Sequence, residues 1–599
     1  MAETAARAGA RAGPGEDAPA SRGRAPLQPE TDEPGYADFL ATALRPFGWI
    51  CLVLVGIICV APVVIIAVGS ISEGNPFNAF VASSAPWSRA FGSAHTLSAI
   101  GYSFLLSLRI PAGMLIAFVI AWYLARNDVF GKRTVMYALW LAFFLPILPA
   151  TLGWVLMLDP NYGIINNLAR TLPFVGGPVV DIFSLAGITW VHMTLSTIPI
   201  MVILIEPAQR FIDASYEEAS TMAGAGTFTT LRRITIPLIA PTLLTAFIAG
   251  TIRSLEAFEV EQLLGLPADI LVYATRIFHL LRVTPPDEPQ AMAVSTLFIV
   301  ILFVLVVLYR VMLQRAHMAA TLTGKGARLL PRQRTRGSYV VSALLFVAVA
   351  IMTLLPFAMV VVSSFSTLFG FFDIPEPWTL EHWRAVIDDR EFLSALRSSI
   401  TTGLLVAVVG TLVYLALAWV LARNTFPGKS VFSLAIWMPW ALPGVLLGTA
   451  FLSVFLNVPG LRVFYGTAVA LVVVLVIQGL PFATHMFEAS IAQISRELEE
   501  SSLMSGAGRI ETVRRVTAPL IAPMVATVFV LAFMSAVKDI SATVLVATPS
   551  SMTLPLLMFG YATSGRPEVA SVIGVVTVGI AMVMALLVTR IGDRAAFSR

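Results

Sequence analysis

The chain reads EEASTMAGAG at residues 217–226 and EESSLMSGAG at residues 499–508. The repeat extends beyond the decapeptides: TFTTLRRITIPLIAP at 227–241 is answered by RIETVRRVTAPLIAP at 509–523. Arg232 and Arg233 match Arg514 and Arg515, Pro237 matches Pro519, and Pro241 matches Pro523. These polar stretches interrupt an oily chain. Of 599 residues 57% are hydrophobic and 12% charged, with a mean hydropathy of +0.84. A soluble globular protein carries about 25% charged residues. Lipid is therefore the solvent for much of this chain, and the fold class is an all-α polytopic membrane protein. The net charge of +4 needs no nucleic acid to explain it, because Lys and Arg collect in the cytoplasmic loops of membrane proteins.

A bilayer span takes roughly 20 apolar residues. Outward from the repeats, spans are expected at 47–70, 99–124, 134–158, 182–205, 238–258 and 291–313, then at 338–364, 398–421, 431–456, 466–488, 520–543 and 569–590. The two sets of six form two fused halves, 46–313 and 337–599. They are joined by a basic linker, 314–336, that holds Arg315, Lys325, Arg328, Arg332, Arg334 and Arg336 and no acid. Residues 1–45 read as a disordered tail with no apolar core of a signal peptide. LARNDVFGK at 124–132 answers LARNTFPGK at 421–429, and Pro146 and Pro443 stand 297 residues apart. The decapeptides stand 282 apart, so the first half carries 15 extra residues, around DPNYGIINN at 159–167. Six spans per half makes the repeats parallel, with a pathway expected between them. The Lys/Arg bias places both termini, the linker and both decapeptides in the cytoplasm, and the acidic segment 365–397 outside.

Each decapeptide loop reads as two short helices around a glycine hinge. Glu217 and Glu218, like Glu499 and Glu500, fall near a helix start, where negative charge suits the dipole. Ala219, Ser220 and Ala223 (Ser501, Ser502 and Ser505 in the second copy) let another surface approach. Gly224 and Gly226, or Gly506 and Gly508, permit a turn at positive φ. The paired arginines favour the next helix, and Pro237 or Pro519 marks the return to the membrane.

The pattern Glu-Ala/Ser, then Gly-Ala, then Arg-Arg, then Pro-Leu resembles the EAA loop of ABC importer permeases. The resemblance covers about 95–310 and 395–590, and two copies in homologous places make it specific. Ser501 stands where the family has Ala. The resemblance implies two type I permease halves whose loops are coupling helices docking on a cytoplasmic ATPase. The residues it carries over are Glu217, Glu218, Ala219, Gly224, Ala225, Arg232 and Arg233, with Glu499, Glu500, Gly506, Ala507, Arg514 and Arg515. It also implies two copies of a separate ATPase subunit, an extracytoplasmic substrate-binding protein and a bacterial cytoplasmic membrane. An ion-gradient-driven carrier with two six-span halves is the rival reading.

The residues themselves point away from ATP chemistry. A Walker A loop needs G-x-x-x-x-G-K-[ST]; the near miss at Gly428-Lys429-Ser430 has Arg423, not Gly, five residues earlier. The chain is thus expected to be a non-catalytic permease with no cofactor of its own. SLEAFEVEQLLGLPADILVYATRIF (254–278) and AVKDISATVLVATPSSMTLPLLMF (536–559) resemble the ferric-iron permeases, a branch that includes 2-aminoethylphosphonate, thiamine and polyamine permeases. Arg253, Glu256, Glu259, Lys538 and Asp539 are candidates for the substrate pathway, since ionisable groups in spans are costly and default to function. Carboxylates would suit a hard cation such as Fe(III). Local ion pairing is the alternative. His192, alone in its span, reads as a helix–helix hydrogen bond.

Overall fold

Proline placement shapes most of the departures from straight helices. The computed structural model describes residues 36–74, 80–173, 176–319, 336–423 and 428–597. Among the described residues there are helices and turns, with two isolated β-bridges, Ser72 to Ala82 and Ser366 to Trp378. Nine of the described helices are long and apolar enough to cross a membrane, or up to twelve if each of three bent pairs is one span. The protein is an all-α polytopic membrane protein.

The expected spans 134–158 and 431–456 are broken. Lys132–Phe144 and Ile147–Leu158 meet at 106°, and Lys429–Trp440 and Gly444–Asn457 at 103°. Pro146 and Pro443 sit at the breaks, each preceded by an extended leucine, Leu145 (ψ 147°) and Leu442 (ψ 112°). Proline has no N–H to continue the helix and drives its predecessor out of the helical region. A third bent pair, Glu261–Ala268 and Tyr273–Arg282 at 79°, falls outside the expected spans.

Five π-helical turns, at Met193–Thr197, Leu231–Thr235, Glu261–Gly265, Ala350–Leu354 and Val513–Thr517, each end two residues before a proline. Widening the turn accommodates a residue that cannot donate and whose ring crowds the preceding carbonyl. Ile236 N–H reaches back to Leu231 O, and Ala518 N–H to Val513 O. This corrects the reading of the loops. The arginine pairs do not lie on a second short helix; Thr227–Leu255 runs as one span. Pro237 and Pro519 are inside the rise into the bundle rather than at its start, and Pro241 and Pro523 lie within the helices.

The halves interlock. Helix Tyr36–Gly69 starts inside the expected tail 1–45; residues 1–35 lie outside the described residues, as do 320–335 of the expected linker. This helix packs on Glu288–Ala319 of its own half and on Lys429–Trp437 and Gly444–Asn457 of the other. Its Val55 and Cys59 are buried in a second-half cluster with Val406, Tyr414 and Leu475. Reciprocally, the second half's Leu355–Ser364 lies against Ile147–Leu158. There a Cβ on Gly153 would come within 1.9 Å of Pro356 O, so only glycine permits this approach, as small residues do at membrane helix contacts. The internal repeat survives in detail. Ser103 Oγ accepts the Tyr273 N–H at 2.9 Å, and Ser399 Oγ accepts the Leu554 N–H at 2.7 Å.

Candidate docking loops and the charged cavity between the halves

The two decapeptides fold into matching short helices, Ala214–Met222 and Arg496–Met504. Asp213 caps the first by accepting the Ser215 N–H at 2.9 Å, and Ser495 caps the second by accepting the Glu497 N–H at 3.2 Å. Side-chain acceptors at this position satisfy donors that a helix start leaves bare. Gly224 (φ 81°) and Gly506 (φ 87°) end them in the left-handed region, with their N–H groups on Thr221 O and Leu503 O at 2.9 Å. An added Cβ at either would meet nothing within 4 Å, so backbone conformation alone selects glycine here. Gly226, expected to share this role, is extended (φ −73°) and starts the next helix. Ser220 and Thr230 hydroxyls lie 2.8 Å apart, Ser502 and Thr512 3.0 Å apart, closing the turn on itself.

Adjacent glutamates part company. Glu217 turns inward, where Arg126 Nη2 donates to its Oε1 at 2.5 Å and Thr235 Oγ1 lies at 3.4 Å. Glu499 does the same with Arg423 Nη2 at 2.8 Å and Thr517 Oγ1 at 3.4 Å. The Arg and Glu side chains are 10% and 19% exposed in the first pair and 11% and 19% in the second, so the two anchors are the same device. Arg126 Nη1 also reaches Gln209 O at 2.6 Å, and Arg423 Nη2 reaches Ile494 O at 3.2 Å. Glu218 and Glu500 are exposed, as are Ala219, Arg232, Arg233, Arg514 and Arg515, while Ala225 and Ala507 are half-buried. Arg515 pairs with Glu511 at 3.0 Å in the open. Met222 and Met504 protrude, each 89% exposed. Sequence reasoning treats the glutamates alike and misses the arginine anchors. The signal is the repeated Leu-Ala-Arg at 124–126 and 421–423.

The pathway candidates gather where the halves meet. Glu259 of the first half and Lys538 of the second line one small cavity, with Pro146, Pro149, Met558 and Thr577. Lys538 Nζ donates to Phe143 O at 3.2 Å and stands 5.4 Å from the centre of the Phe143 ring. Asp539 turns back on its own chain, accepting from Ala542 N–H at 3.1 Å and Thr543 Oγ1 at 3.3 Å. Arg253 and Glu256 pair at 2.9 Å, with the Arg253 side chain 69% exposed. The five residues gather at the ends of two spans: Arg253 is in the last turn of Thr227–Leu255 with Glu256 and Glu259 beyond it, and Lys538 ends Val513–Lys538 with Asp539 next.

A second charged cluster lies wholly inside the first half. His192 Nε2 and Glu261 Oε1 are 2.8 Å apart, and Arg109 Nη1 is 3.6 Å from the same oxygen. His192 is thus the helix-to-helix hydrogen bond expected of it. Arg109 is absent from the residues singled out in the sequence, although a charge within an apolar run is the usual signal. Counted by the sequence offsets of 297 and 282, Val406, Val474 and Thr543 stand at these three positions. On the face away from the decapeptides, the extra residues of the first half have a use. Tyr162 meets Phe369 edge to face and Phe371 at a tilt, at 5.9 and 5.6 Å, over Gly370 at φ 82°. Burial, with the Asp159 carboxylate beside it, pushes the Tyr162 phenol well above its ordinary range.

Comparison with known proteins bears on these loops. The family described as "Binding-protein-dependent transport system inner membrane component" matches residues 414–596. An ABC transporter permease protein of Streptomyces antibioticus is 32% identical over 186 residues, 31% of this chain and 80% of that protein. The ferric transport system permease protein FbpB of Actinobacillus pleuropneumoniae is 24% identical over 398 residues, 65% of this chain. The chain spans just over half of that relative's length, 56%. A sulfate transport system permease protein of Chlorokybus atmophyticus is 28% identical over 196 residues, 31% of this chain and 68% of that protein.

Proposed function

Because the chain belongs to the binding-protein-dependent inner-membrane permeases of ABC transporters, we propose that it is the membrane pathway of an importer driven from outside itself by two copies of an ATPase. The ATPases dock on the helices Ala214–Met222 and Arg496–Met504, and ATP closure draws the two helices together. The inward glutamates, Glu217 and Glu499, pass that movement through Arg126 and Arg423 to the spans Ala94–Arg126 and Arg390–Arg423. The exposed Glu218, Glu500, Met222 and Met504 face the ATPase. The loops and both termini are cytoplasmic, and an extracytoplasmic binding protein delivers cargo to the opposite face. Cargo crosses between the halves, past Glu259 and Lys538.

The observation that supports this reading is the congruence of the loops: two copies, one geometry, each with one glutamate held and one free. A carrier driven by an ion gradient has no need for two equal pegs. The cargo proposed is ferric iron. The ferric transport relative, aligned over the longest stretch of the three, supports it, as do the carboxylates near the passage, since hard oxygen donors suit a hard cation. The test is uptake into proteoliposomes holding the chain, a cognate ATPase and a cognate binding protein. Radiolabelled iron, sulfate, aminoethylphosphonate, thiamine and putrescine would each be offered. ATP-dependent uptake of iron with all three components is the expected result. ATP-dependent uptake of another solute overturns the cargo, and uptake by the chain alone overturns the mechanism.

A further inference from the structure

Where the halves meet, an ammonium of the second half sits on a carbonyl of the first. The break at Pro146 ends the helix Lys132–Phe144, leaving its last carbonyls without the N–H donors a continuing helix would supply. A helix C-terminus carries partial negative charge. Lys538, from the other half, sits there. Its ammonium is on Phe143 O at 3.2 Å and 5.4 Å from the Phe143 ring centre, within the distance at which a ring face attracts a cation. The cavity it lines also holds the Glu259 side chain and amounts to about 10 Å³, room for about one water. A carbonyl oxygen and a ring face hold the ammonium, a carboxylate lines the same cavity, and the occupant is tethered to the opposite half.

Its neighbours do not compete for the role. Asp539 is engaged with Ala542 and Thr543 of its own turn and with the Gln478 side chain. Glu256, the position matching Lys538 in the first half by the 282-residue offset, is tied to Arg253. Of these two matching positions, only the second half's sends a cation to the junction. The cavity is too small to admit cargo while the ammonium is in place.

We propose that Lys538 is a gate and specificity residue: it fills a cation site shared by Phe143 and Glu259, and a cationic, oxygen-seeking cargo takes that site when the halves part. This rests on the reading that cargo crosses between the halves. Neutralising Lys538 leaves the site empty and attractive to outside cations.

The test uses the full chain alone in vesicles, without ATP or partners. Terbium(III), a hard trivalent ion, is read by luminescence with trapped dipicolinate, and radiolabelled sulfate serves as the anion. Wild-type chain should pass neither. Lys538→Met should raise terbium entry at least tenfold with sulfate unchanged, Lys538→Arg should stay tight, and Phe143→Leu, which keeps the carbonyl, should leak about threefold. In Lys538→Met, adding Glu259→Gln should cut the terbium leak back toward the wild-type level. Equal leakage of terbium and sulfate would mean a packing defect and overturns the gate. No leak in Lys538→Met, with or without transport in the complete system, overturns it too. Should wild-type chain with its partners carry only anions, the cation site is also overturned. If no solute is taken up with ATP while the cation-selective leak is seen, the importer reading fails and this inference stands.

Discussion

The two halves are alike at the face that carries the decapeptides and unlike in their interiors. At the loops, an arginine, a glutamate, a threonine, a capped helix and a left-handed glycine recur with matching bonds, Thr235 and Thr517 both 3.4 Å from their glutamates. Inside, Arg109, His192 and Glu261 of the first half correspond to Val406, Val474 and Thr543 at the matching positions. Lys538 corresponds to Glu256. A repeat that stays close at the loops and drifts in the interior fits the proposed importer: two equal partners would demand two equal surfaces, while a passage for one cargo would let each half supply different groups.

The comparison breaks most easily at the buried cluster. In Arg109→Met the Glu261 carboxylate, only 1% exposed, loses the guanidinium 3.6 Å away and keeps the hydrogen bond to His192. Breaking a buried pair from one side costs about 3–5 kcal/mol. Arg109→Met should lower the thermal unfolding midpoint in detergent far more than Val406→Met at the matching site. Adding Glu261→Gln to Arg109→Met should recover much of the loss. Equal losses at 109 and 406 would show that the cluster is not a local strut of the first half.

Next in size are the loop anchors, where the comparison demands equality. Arg126→Ala and Arg423→Ala each remove a charge-assisted bond, typically about 1.5–3 kcal/mol. Each should cut ATP-driven uptake about tenfold while ATPase still binds. A variant pair differing by more than about threefold would mean that the loops, though congruent, carry unequal work.

Much of this is legible in the sequence, and the reasons for the rest are physical. Composition and run length disclose the membrane class, and the doubled decapeptide discloses the loops, because both are properties of short windows. The prolines at 146 and 443 read as a repeat but not as breaks of more than 100°. A hydropathy count registers twenty apolar residues whether or not the helix turns. The arginine pairs read as a second short helix when proline is taken for a stop; the chain instead widens one turn and continues. The split of Glu217 from Glu218 depends on which side of a two-turn helix faces Arg126, 91 residues earlier, and no local pattern encodes that. Glu259 and Lys538 stand together among the pathway candidates, but their shared cavity depends on how the halves pack.

The finest test is at the turn glycines and the methionines beyond them. Gly224→Ala and Gly506→Ala place a Cβ in open space but in the left-handed region, costing roughly 1–2 kcal/mol. The strain is confined to an exposed turn, so unfolding midpoints should shift little and equally. The helix it ends is short, though, and its exit angle sets where Met222 or Met504 points. Met222→Ala and Met504→Ala alter residues 89% exposed, and surface changes of that kind stay within about 0.5 kcal/mol of fold stability. Their cost belongs to docking: each should weaken ATPase association in pull-down titrations about threefold, the double variant about tenfold, with the chain's own stability unchanged. If only one methionine matters, the two ATPase copies grip the chain unequally, and the likeness of the loops is inherited shape rather than equal use.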